Sequence, residues 1–94
     1  MNKIYESGYR TTWTIVGYCV GQFGFERYVT YYGTLSEAIR YADNEGYKFT
    51  HYGDETVEIR EGDTVYARQE WEHGYDEAGE YYAPKEWQQL VFLY

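Results

Sequence analysis

Few residues in this chain could do covalent or proton-transfer chemistry. Cys19 is the only cysteine, and it sits inside the run Thr12-Trp13-Thr14-Ile15-Val16-Gly17-Tyr18-Cys19-Val20. In a β-branched, aromatic run a free thiol behaves as a small buried hydrophobe. One cysteine also excludes an intramolecular disulfide framework and a multi-cysteine zinc site. The two histidines, His51 and His73, fall in no triad pattern. Glu70, Glu72 and His73 are of metal-ligating type, but their spacing at a strand end is generic and reads as a solvated acidic rim. Gly17, Gly21 and Gly24 have no Walker lysine and no helix behind them, so they do not form a phosphate loop. With 16 acidic residues in the chain, paired carboxylates of glycosidase type arise by chance. The inventory reads as non-enzymatic, with no cofactor and no metal.

What the sequence offers instead is recognition chemistry. Glu70, Glu72, Asp76, Glu77 and Glu80 fall in a stretch that contains no lysine or arginine, and Tyr75, Tyr81 and Tyr82 are set among them. Tyr66 is expected on the exposed face of the strand leading into this stretch. Tyrosine gives large, rigid contact area at low entropic cost. Beside carboxylates it suits a surface rich in arginine and lysine, through salt bridges and cation–π contacts. Other tyrosines, Tyr18, Tyr28 and Tyr31 among them, are expected to supply core bulk. Same-face carboxylates along a strand recur about every 6.6 Å, against one charge per ~3.4 Å along each DNA strand. The pattern therefore allows partial imitation of a phosphate path and not of a full duplex.

Two β-rich runs around Gly21-Gln22-Phe23-Gly24 predict a hairpin, with Trp13, Ile15, Gly17 and Cys19 on one face of the first strand. Phe25, Arg27, Val29 and Tyr31 share a face of the second. Both runs are apolar on two sides, which predicts a central position for at least one strand. Thr34-Leu35-Ser36-Glu37 is a capping box. Leu35, Ala38, Ile39 and Ala42 then follow at helical spacing, and Gly46 is a natural stop. These signals predict a helix over about 35–45 lying on a sheet. Tyr47 to Tyr52 suggests a short strand or ordered loop. A second hairpin is expected from Thr56–Arg60 and Thr64–Trp71, with Val57, Ile59, Val65, Ala67 and Trp71 on one face and Tyr66, Arg68 and Glu70 on the other. Residues 72–83 read as a long acidic loop, Pro84-Lys85-Glu86-Trp87 as a helical turn, and Gln89–Tyr94 as a terminal strand or docked tail. The fold class is α+β: one helix on a twisted antiparallel sheet of four to five strands, in the order ββαββ(β).

The chain has 94 residues, enough for one domain spanning 1–94 with a core of its own. Its net charge is −8. Residues 1–33 contribute +1 and residues 34–94 contribute −9, with no linker between them. This balance argues against direct nucleic-acid binding, which depends on basic groups. Aromatics make up 22% of the chain, unlike a disordered acidic tail. No apolar run reaches membrane-spanning length and no signal segment opens the chain, so a soluble, cytoplasmic protein with no membrane contact is expected.

In size, acidity, tyrosine content and lack of catalytic machinery the chain resembles small bacteriophage-encoded anti-defence proteins of the anti-CRISPR and anti-restriction type. The resemblance lies in the character of the whole chain, and it carries no functional residue over by position. It implies an inhibitor that binds a basic, nucleic-acid-handling bacterial protein such as a CRISPR effector. Such proteins either block or partly mimic nucleic acid, or obstruct a conformational step. The partner-binding residues on this reading are Glu70, Glu72, Tyr75, Asp76, Glu77, Glu80, Tyr81, Tyr82 and Tyr66. Two other classes fit the composition. One is an assembly module, a homodimer through a sheet edge or the apolar Leu90–Tyr94 tail. The other is a small-ligand domain with an aromatic pocket around Trp13, Trp71 and Trp87.

Overall fold

Strand-forming sequence dominates the chain, and a computed structural model describes residues 4–19, 26–45 and 55–92, without the side chains of Cys19, Glu26, Arg27, Glu55, His73 and Tyr82. Expectations for the Gly21–Gly24 loop, Phe25, Gly46, Tyr47–Tyr52 and Leu93-Tyr94 lie outside the described residues. The elements are β1 (Thr11–Cys19), β2 (Glu26–Gly33), α1 (Leu35–Asn44), β3 (Glu55–Glu61), β4 (Thr64–Asp76), β5 (Gly79–Pro84) and β6 (Gln88–Gln89). The six strands form one antiparallel sheet in the order β2-β1-β3-β4-β5, with β6 also on β4. The architecture is α+β, as expected, but richer in strand: the chain order is ββαββββ.

β1 is central, between β2 and β3. Its alternation sends Trp13 and Ile15 to the helix side, both fully buried, while Val16 is buried on the opposite face. Across the ladder Ile15 stands level with Val29 and with Ile59, and Ile59 with Ala67. The helix lays Leu35, Ala38, Ile39 and Ala42 on this row, all four buried. Its start is held as the sequence predicts. The Glu37 N–H donates to Thr34 Oγ1 (3.2 Å) and the Thr34 N–H to Glu37 Oε1 (2.9 Å). The N-terminal segment adds an acceptor, Glu6, for the Ser36 N–H at 3.0 Å. The core thus lies between one helix and one face of the sheet, and among the described residues no second layer covers the other face.

Two features depart from expectation on β4. The β3–β4 register shifts between Ile59 and Arg60: Ile59 pairs with Ala67 but Arg60 with Val65. Tyr66 is the extra residue of this bulge, and a one-residue slip exchanges faces. Tyr66 consequently packs on the core, its ring 4.9 Å from that of Trp13 at 74°. It is not an exposed residue.

The second departure is the segment 72–83, which is not a loop. β4 runs on to Asp76 and pairs with β5 from Trp71↔Pro84 to Asp76↔Gly79. Nor does Pro84–Trp87 begin a helix. β5 and β6 lie in line along the same edge of β4, joined by 85–87, with the Lys85 N–H donating to Glu70 O (2.8 Å) and the Leu90 N–H to Tyr66 O (2.8 Å). The ladder offset changes by one residue across this junction. The junction turns Trp87 inward, where it is 2% exposed and donates to Asp43 Oδ1 of the helix at 2.9 Å. Gln69 secures the other side, Nε2 donating to Lys85 O at 2.9 Å.

Candidate partner-binding ribbon

Among the described residues β3 pairs with β4 only as far as Glu70, and the remainder of β4 forms with β5 a two-stranded ribbon continuing past that point. Six paired positions at about 3.4 Å each make it about 20 Å long. From Trp71 to Pro84 it carries four carboxylates and no lysine or arginine, with Glu70 at its root.

Strand alternation distributes these groups over both faces. Glu70, Glu72, Gly74 and Asp76 share one face of β4, and Tyr81, opposite Gly74, lies on the same side. Tyr75 and Glu80, directly opposite each other, take the other face, and Glu77 sits in the turn. Tyr75 is 77% exposed. Of Tyr82 only the backbone, paired with His73, is described.

Gly74 explains how the first face is built. A Cβ there would lie 2.6 Å from the Tyr81 hydroxyl oxygen, so the tyrosine ring occupies the space a side chain would take. Covering a strand glycine with a cross-strand aromatic ring also fixes register. Lying across the ribbon, Tyr81 donates to Glu72 Oε1 at 2.7 Å, while Lys85 Nζ stands 3.6 Å from Glu72 Oε2. The Tyr81 hydrogen bond, then the Lys85 charge, hold Glu72 below the usual carboxylate value. That hydrogen bond and the Glu72 charge raise Tyr81 above the usual phenol value. Asp76 has a structural task as well, accepting the Ala78 N–H at 2.8 Å across the tip, where Gly79 takes a φ of 116°.

Of the nine residues expected to bind a partner, the ribbon and its root bring together Glu70, Glu72, Tyr75, Asp76, Glu77, Glu80 and Tyr81. Tyr66 is set apart: its hydroxyl donates to Glu61 Oε1 at 3.1 Å, and Tyr9 donates to the same carboxylate. Sequence reasoning missed two large exposed groups. Tyr28 and Tyr32 are 73% and 67% exposed on the sheet face away from the helix, so Tyr28 is not core bulk. Their spacing from Thr30, opposite in phase to Val29 and Tyr31, is the signal that locates them. On that same face Glu58 is 6% exposed, paired with Arg60 and accepting the Tyr18 hydroxyl at 2.8 Å.

Two of the three tryptophans are core residues, and Trp71 packs partly buried against them. Trp13 is fully buried and donates to Gly33 O at 2.8 Å, and Trp87 fills the gap under the helix. Open clefts of about 210 and 170 Å³ flank the helix, the first lined by Asp43, Gln69, Pro84, Lys85, Glu86 and Trp87. Both are smaller than the roughly 300 Å³ at which ligand pockets begin. Leu90 and Phe92 are about half exposed, with Phe92 against Tyr5, so the described tail lies on the surface and is not an inner strand. No group of three potential metal ligands gathers among the described residues, and no helix among them is long and apolar enough to cross a membrane. Comparison with protein-family models, with curated proteins and with solved structures gave no match to this chain.

Proposed function

We propose that the chain is a non-catalytic inhibitor that seats its β4–β5 ribbon in the basic substrate channel of a bacterial nucleic-acid-handling protein, in the manner of anti-CRISPR and anti-restriction proteins. The carrying observation is a narrow, two-faced projection with four carboxylates, a fifth at its root, no lysine or arginine along it and an exposed tyrosine. A two-stranded ribbon is slim enough to enter the major groove of DNA, and hence a channel shaped for nucleic acid. Carboxylates on both faces and at the tip present negative charge whichever wall it meets. Such charge acts on encounter rate and partner choice, and exposed tyrosines supply the anchors that slow dissociation.

The test begins with affinity capture from bacterial lysate and proceeds to kinetics on the captured protein at two salt concentrations. Glu77→Lys/Glu80→Lys should slow association, with the deficit shrinking at high salt as screening shortens to a few ångströms. Tyr75→Ala should speed dissociation, costing about 2 kcal/mol. The target's nucleic acid should compete with the wild-type chain. Recovery of no basic nucleic-acid-handling protein, or wild-type kinetics in both variants, refutes the reading.

A further inference from the structure

β2 is the outermost strand on the side of the sheet away from the ribbon, and among the described residues nothing pairs with its outer edge. Open edges are ordinarily guarded by lysine, proline, a bulge or an inward charge, because they template pairing with another chain. Past its first two residues β2 has none of these. Tyr28-Val29-Thr30-Tyr31-Tyr32-Gly33 holds no charge and no proline, and its register against β1 runs without a shift from Tyr18↔Glu26 to Thr11↔Gly33.

We propose that this edge pairs antiparallel with the same edge of a second copy, continuing the sheet across a two-fold axis at Thr30. Joining two sheets edge to edge in antiparallel sense requires an axis perpendicular to the sheet, which keeps both helices on one side and sets one residue opposite its own copy. Centring on Thr30 pairs Tyr28–Tyr32 with one another and keeps both charged residues, Glu26 and Arg27, outside that run. Tyr28 of each copy then faces Tyr32 of the other on the open face, and Val29 faces Tyr31 on the helix face. The strand is aromatic two residues either side of Thr30, so pairing with itself matches ring to ring at directly opposed positions.

The charge layout limits the repulsion between two copies that each carry −8. Residues 1–33 carry +1 of a chain whose total is −8, and the acidic ribbon lies at the far edge of the sheet. Two copies therefore meet with their negative regions apart. On the helix side this edge borders the 170 Å³ cleft lined by Tyr31, Glu37, Arg40, Tyr41 and Asn44, which offers both signs of charge. One strand edge buries less than the standard interface of about 1,600 Å², so the dimer belongs to the weak class, with a Kd on the order of 10 µM.

Sedimentation velocity of the purified chain across the micromolar range should show a reversible monomer–dimer equilibrium. Tyr28→Lys/Tyr32→Lys puts like charges opposite each other twice and should weaken it at least about tenfold. Tyr28→Lys/Tyr32→Glu puts a lysine opposite a glutamate in both places and should restore it. Circular dichroism confirms that each variant is folded. Should the first variant fail to fold, Thr30→Cys in a Cys19→Ser background serves instead: antiparallel partners have Cα atoms about 4.5–5.5 Å apart, within disulfide range. Oxidation should then give a covalent dimer. A wild-type chain that stays monomeric, a dimer indifferent to the lysine pair, one lost on Phe92→Asp instead, or no Thr30→Cys cross-link would each overturn the proposal.

Discussion

Tyr81 shows how one side chain can serve both shape and charge. It stands in for the side chain that Gly74 lacks, and its hydroxyl lowers the proton affinity of Glu72. Removing only the hydroxyl separates these roles. Tyr81→Phe should keep the ring over Gly74 and the ribbon register while the Glu72 pKa rises toward its ordinary value, Lys85 still holding part of the shift. Side-chain carboxyl NMR shifts followed through an acid titration read this directly. Gly74→Val should do more, because a Cβ meets the ring at less than 3 Å. The tyrosine must then leave, and cross-strand contacts between β4 and β5 should vanish from the same spectra.

At the scale of elements, the junction between β5 and β6 matters as much as the helix it supports. Trp87→Ala would empty a site between α1 and the sheet and strand Asp43, at a cost of about 3–5 kcal/mol. Thr34→Ala would remove one half of the capping box, at about 1 kcal/mol. Urea midpoints of the two variants should differ accordingly. The contrast also marks what could be read from sequence. The helix was legible, since its cap and its Leu35–Ala42 stripe are local signals within one short window. That at least one strand of the first hairpin is central was legible from apolar residues on both faces, but the cue was the same for β1, which is central, and β2, which is the edge. The ribbon was not legible, because Gly74, Asp76 and Gly79 are poor strand formers and what holds them is pairing with residues on the opposite strand. The acidic, tyrosine-bearing composition of the site was plain in the sequence, while its division between two faces was not. Tyr66 was misplaced for a related reason: alternation is read by counting, and the bulge beside Arg60 adds a residue to the count.

Across the whole molecule, carboxylates and tyrosines shift one another's titration. Hydrogen bonds lower Glu37, chiefly from the Thr34 N–H, and Glu61, chiefly from Thr11, below 4.5. Tyr9 is raised above 10.0 chiefly by its hydrogen bond to Glu61, and Tyr18 and Tyr66 chiefly by burial. A carboxylate lowered in the folded state stabilises it above the unfolded value, and this is lost as pH falls through the lowered one. A phenol raised in the folded state stabilises it below the unfolded value, and this is lost as pH rises through the raised one. Denaturant midpoints should therefore be level near neutrality, decline below about pH 4.5 and decline again above about pH 10. A midpoint that stayed level into alkali would mean that the tyrosine–carboxylate pairs do not persist in solution.

The shape has a consequence of its own. The radius of gyration is 13.6 Å, against about 12.4 Å for a compact chain of this length. The longest dimension is 43 Å, which thirteen strand residues at about 3.3 Å each account for. β4 thus runs the length of the molecule, and among the described residues its second half pairs with β5 alone. Opening that half breaks only its own ladder, because Trp87 and Gln69 pin the chain at the root. The tip can fray and close again while the body stays intact, which makes it a natural point of entry for proteases and, equally, a segment free to reshape itself against whatever it enters.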